Sequence, residues 1–117
     1  MDYIMNESTI EHVKEVSIKE LPLVFKDDLK KIILYGSCAR GTYTDDSDID
    51  IAILTKSDRV KNKQFDSKLD DIASKIGLDT LTVVNYVCLP YDEYEEKKEW
   101  YPYFMSINKE GITLYEQ

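Results

Sequence analysis

The chain has 117 residues, 43% of them hydrophobic and 32% charged, with 23 acidic against 15 basic side chains and a formal net charge of −8. This length and balance predict one soluble globular domain spanning residues 1–117, with a core of its own and no room for a second. The acidic surplus excludes a nonspecific grip on a nucleic-acid polymer, which needs a basic stripe. No stretch has the apolar length of a membrane span, and the acidic N-terminus lacks the features of a signal peptide. Cys38 and Cys88 lie too far apart for a metal knuckle and are too few for a disulfide framework, so both are expected reduced, in a cytoplasmic protein.

In chain order, Ser8, Thr9, Ile10 and Glu11 read as a capping box opening a helix, with Ile10, Val13, Val16 and Leu21 on its apolar side. Pro22 is expected to kink or restart that helix. The lone histidine, His12, has no second His or Cys to ligate with and receives no role. A first strand is predicted over residues 30–35, and a polar loop over 41–46. A long helix is predicted over 58–76, with Val60, Phe65, Leu69, Ile72, Ala73 and Ile76 near helical spacing and Gly77 as its cap. Residues 81–87 read as a β-branched strand ended by Pro90, followed by helical pieces over 93–100 and 103–109 and a last strand over 112–115. The alternation of helices and strands describes a mixed α/β domain.

The organising stretch is residues 32–54, IILYGSCARGTYTDDSDIDIAIL. An apolar run ends at Gly36 and Ser37, a pair that permits a tight turn and turns backbone N–H groups and a hydroxyl outward, as phosphate oxygens require. Cys38, Ala39 and Arg40 then open a short helix whose positive end faces the same spot. Further on, Asp48 and Asp50 alternate with Ile49 and Ile51, so a strand places both carboxylates on one face. Carboxylates held side by side repel unless a cation sits between them, and hard oxygen ligands suit Mg²⁺.

Gly36, Ser37, Ala39, Arg40, Gly41, Ser47, Asp48 and Asp50 together resemble, residue by residue, the signature of the nucleotidyltransferase superfamily related to DNA polymerase beta, and in particular its minimal MNT-type domains. The resemblance implies an α/β (α+β) fold, a small mixed sheet with helices packed on one face. It also implies transfer of a nucleoside monophosphate, AMP from ATP, to a hydroxyl acceptor. Two Mg²⁺ ions about 3.5–4 Å apart would activate the acceptor and stabilise the leaving oxygen. Asp48 and Asp50 are the candidates to hold them, with Gly36 and Ser37 at the β- and γ-phosphates. Arg40 either adds charge there or pairs with Asp45 and Asp46, and Ser47 either joins the nucleotide site or shapes the loop. The family's third carboxylate comes from a neighbouring strand. Asp79 is the candidate catalytic and metal-holding residue here, with Asn85 and Thr82 as alternatives, because residues 81–87 contain no acid.

Nine tyrosines are present, and Tyr91, Tyr94, Tyr101, Tyr103 and Tyr115 gather towards the C-terminus with Trp100 and Phe104, as core, surface decoration or a protein interface. The resemblance implies that the acceptor wall comes from a second protein: a helical HEPN-type toxin, modified on a tyrosine by an antitoxin, or a second copy of the chain. The alternatives are an antibiotic or other small-molecule nucleotidyltransferase, and a nucleotide- or partner-binding module with little or no turnover.

Overall fold

The computed structural model describes residues 5–117. The acidic N-terminal stretch read for targeting features lies partly outside them. Among the described residues, no helix is long and apolar enough to cross a membrane.

The first helix, α1 (Glu7–Phe25), starts earlier than its expected capping box. Asn6 is its cap, and the Asn6 side chain accepts from the Thr9 amide at 2.9 Å. Ile10, Val13, Ser17, Leu21 and Phe25 are its buried residues, at the three- and four-residue spacing of one face. Pro22 does not restart the helix. It sits in the final turn, where its carbonyl still accepts from the Lys26 amide. A short 3₁₀ turn, Lys26–Asp28, leads to β1 (Leu29–Tyr35). Then come α2 (Ser37–Arg40) and β2 (Ile49–Thr55), of whose residues only Asp50 is not buried.

The long helix expected over 58–76 is broken into α3 (Arg59–Asn62), a 3₁₀ turn at Lys63–Phe65, and α4 (Asp66–Thr80). Two long-range contacts account for the break. Asn62 is buried and accepts from Thr55 Oγ1 at 2.7 Å, which ties it to the end of β2. Phe65 turns into the core against Phe25, with ring centroids 4.2 Å apart. Gly77 is not the cap of α4. The helix runs one turn further, and Leu81 closes it in the left-handed region at φ 56°, its amide donating to the Gly77 carbonyl.

That left-handed residue cannot belong to a strand, so β3 spans Val84–Pro90, three residues beyond expectation. Pro90 is tolerated because β3 is an edge strand. The chain ends with α5 (Tyr91–Lys97), α6 (Pro102–Glu110) and β4 (Ile112–Glu116).

The four strands lie in the order β3-β2-β1-β4, with β1 antiparallel to β2 and β4, and β2 parallel to β3. The sheet is mixed, as expected. Alternation along the strands divides it between two cores. Ile32, Leu34, Ile49, Ile51 and Ile53 pack on α1 and α4. Ile33, Ala52, Leu54 and Leu89 pack on Tyr94, Phe104 and Ile107 of α5 and α6. The long helices thus share one face, but the second face is covered as well. Burial on both faces explains why the central strand β2 reads as a nearly unbroken apolar run.

Candidate active site

Three strands bring their polar residues together at one end of the sheet. Asp50 of β2 is flanked in register by Tyr35 of β1 and Asn85 of β3. Alternation puts Asp50 on the same face as Ala52 and Leu54, the face covered by α5 and α6. Asp48 precedes it by two residues and is exposed. The Asn85 side-chain amide bridges the pair, donating to Asp48 Oδ2 and to Asp50 Oδ1 at 3.1 Å each. A cavity of about 460 Å³ opens beside them, lined by Tyr35, Asp50, Asp70, Asn85 and Val87 among others.

The turn after β1 closes over this row. Gly36 takes φ 78° and ψ −159°, a region that disfavours any Cβ, and its carbonyl accepts from the Ala39 and Arg40 amides at 3.1 Å. Gly41, also at φ 78°, ends α2, and the Thr42 amide returns to the Ser37 carbonyl. Cys38 points inward and donates from Sγ to the Asp48 carbonyl at 3.5 Å, fastening α2 to the entrance of β2. Burial, and then the charge of Asp50, push its thiol pKa up, so at neutral pH it is a protonated strut.

The remaining predicted residues separate into those that join the site and those that do not. Ser47 Oγ accepts from the Thr44 amide at 2.8 Å and so shapes the loop. Arg40 pairs with neither Asp45 nor Asp46. Its Nη1 lies 2.6 Å from Glu110 Oε2, at the end of α6. Thr82 is buried and donates to the Thr80 carbonyl within the turn. Asp79 does not meet Asp48 and Asp50. It lies in the last turn of α4, in a groove with His12, Val16 and Lys75, where α1 and α4 cover the other face. The cause is the later start of β3, which leaves residue 79 in a helix and sets Asn85 beside Asp50. Among the described residues, no group of three or more His, Cys, Asp or Glu side chains is placed to hold a metal ion.

Tyr35 had no site role in the sequence, and Tyr103 was read only as part of the C-terminal aromatic cluster. Tyr35 Oη and Tyr103 Oη are 2.8 Å apart, joining β1 to α6 next to Asp50. Burial, the Tyr103 hydroxyl and the Asp50 charge all drive the Tyr35 phenol pKa upward. Only the register of Tyr35 with Asp50 reveals it, and one sequence does not fix register.

The family model described as a nucleotidyltransferase domain matches residues 16–111, and so spans the whole of this row and turn. The chain belongs to the nucleotidyltransferase family. This nucleotidyltransferase is 35% identical over 106 residues to a predicted protein adenylyltransferase of Methanocaldococcus jannaschii, covering 87% of the chain and 98% of the relative. A second predicted protein adenylyltransferase of that organism is 43% identical over 70 residues, covering 59% of the chain and 67% of the relative. Solved structures share the fold at lower identity. One is a toxin–antitoxin structure with AMP-PNP, at TM-score 0.54 and 22% identity, covering 97% of this chain and 75% of that one. Another is a predicted nucleotidyltransferase of Sulfolobus solfataricus, at TM-score 0.52 and 19% identity, covering 97% and 91%. A mutant of the MntA–HpeT toxin–antitoxin pair gives 0.52 and 20%, covering 97% and 75%.

Proposed function

We propose that the enzyme transfers AMP from ATP, with Mg²⁺, to a tyrosine hydroxyl of a HEPN-type toxin, and so acts as its antitoxin. The observation that carries the reading is the Asp48–Asp50 pair, aimed at one donor beside the Gly36–Ser37 turn. Two carboxylates with phosphate oxygens are a donor set that Mg²⁺ accepts, so the residues fit the ion. When bound, Mg²⁺ would supply charge neutralisation at the phosphates, and Asp48 and Asp50 would hold it.

The chain's own contribution is placement. Gly36 and Ser37 receive the β- and γ-phosphates on backbone N–H groups and a hydroxyl, and Ser47 keeps the following loop in shape. The acceptor oxygen attacks the α-phosphorus, its phenolic proton passes to solvent water, and the α-phosphorus–oxygen bond breaks as pyrophosphate leaves. Support for a protein acceptor comes from the relatives named protein adenylyltransferases and from the toxin–antitoxin structures of the same fold. Support for a docking wall comes from Trp100, Tyr101 and Tyr103, large side chains exposed around α6, of which Tyr103 is hydrogen-bonded to Tyr35 in the site wall.

The test uses α-labelled ATP and Mg²⁺ with a purified HEPN-type protein as the candidate acceptor. Label on that protein, lost with Asp48→Asn, is the expected result. Complex formation without any label would overturn the reading.

A further inference from the structure

Asn85, named above as an alternative to Asp79, stands on β3 in register beside Asp50, and it is exposed. One amide NH₂ has two hydrogens, and here one goes to each carboxylate. The amide nitrogen therefore stands at the point both carboxylates face and offsets the repulsion between them. Asp70 of α4 lines the same cavity and Asp79 lies in the last turn of that helix, but neither joins the pair: among the described residues no three His, Cys, Asp or Glu side chains are grouped to hold a metal ion.

We propose that Asn85 is a positioning residue that balances the Asp48–Asp50 pair in the resting protein, and that the site takes a single divalent cation only together with the triphosphate. The inference rests on the reading of Asp48 and Asp50 as the cation-holding pair. A free divalent ion entering here breaks two hydrogen bonds and gains only two protein carboxylates. A hard ion that prefers six oxygens then keeps most of its water and binds weakly. Triphosphate oxygens supply the missing ligands and add the missing negative charge. A second ion has no carboxylate of its own, because the neutral amide stands where one is needed.

Mn²⁺ is the probe, and binding rather than transfer is the readout. Asn85→Asp is expected to bind free Mn²⁺ at least about tenfold tighter than the wild type, since it adds a unit charge at contact distance. With chelator present it should melt below the wild type and recover when Mn²⁺ is added. Asn85→Ala should lose the bridge, melt slightly lower in chelator, and bind free Mn²⁺ tighter than the wild type but less tightly than Asn85→Asp. With a non-hydrolysable ATP analogue, the wild type should hold one Mn²⁺ per chain by electron paramagnetic resonance. Two Mn²⁺ per chain, or wild-type affinity for free Mn²⁺ equal to that of Asn85→Asp, would overturn the proposal. Either result leaves AMP transfer standing, whereas unlabelled partner with the expected Mn²⁺ behaviour would strike the transfer alone.

Discussion

Gly36 leaves room for Asp50: a Cβ built on Gly36 would stand 2.7 Å from Asp50 Oδ2. The glycine therefore meets two demands, a backbone at φ 78° and a carboxylate pressed against the turn. Gly36→Ala is expected to cost about 1–3 kcal/mol of stability from backbone strain alone. It should also displace Asp50 and lower transfer well beyond that loss. Urea unfolding and ATP turnover, read on the same protein, separate the two effects. Unchanged turnover in a destabilised variant would mean that Asp50 has freedom to move.

Glu110 holds Arg40, the side chain proposed to add charge at the triphosphate. The ion pair is short, but the Arg40 side chain is nearly half exposed, so solvent reduces its worth to about 0.2–1 kcal/mol. Glu110→Gln should thus leave stability almost unchanged and free the guanidinium, tightening ATP binding by roughly two- to fivefold. Isothermal calorimetry with a non-hydrolysable analogue measures it. Weaker binding would show instead that Glu110 holds Arg40 in its useful position.

Sequence and structure agree best where the information is local. The run from Ile32 to Leu54 contains its own turn glycine, its own helix start and a two-residue alternation, each set by neighbours in the chain. What was not legible depends on distant partners or on one unusual backbone. The break between α3 and α4 is made by Thr55 holding Asn62 and by Phe25 receiving Phe65. The three-residue displacement of β3 follows from Leu81 adopting a conformation that favours Gly or Asn. That displacement sets Asn85, and not Asp79, beside Asp50. The covering of the second sheet face depends on Tyr94, Phe104 and Ile107, which in sequence are hard to tell from surface aromatics and a short helix.

The Thr55–Asn62 contact should be expensive to break. Both residues are buried, and Asn62 Nδ2 has no hydrogen-bond partner of its own. Thr55→Val keeps the side-chain shape but leaves the Asn62 carbonyl oxygen without its donor. A loss of about 1–3 kcal/mol is expected, with the fold retained. Urea denaturation checks it, and faster amide exchange over residues 59–65 than over α4 would locate the damage at the break. A change below measurement error would mean that Asn62 finds another donor.

Cys88 sets an alkaline limit. Burial, followed by the charges of Asp66 and Asp28, pushes its thiol pKa up to about 12. In the unfolded chain the group titrates at about 8.5. A folded pKa above the unfolded one means stability that is fully present below about pH 8.5 and falls as pH rises towards the folded value. Cys88→Ala should therefore flatten the decline of urea stability between about pH 9 and 12 relative to the wild type, despite a lower plateau at neutral pH from lost packing. Cys88 is half-buried, and its raised pKa predicts that a thiol reagent at pH 8 modifies it more slowly than a free cysteine because little thiolate forms. Rapid labelling of Cys88 in the native state, or parallel pH profiles for the two proteins, would place its thiol in solvent contact.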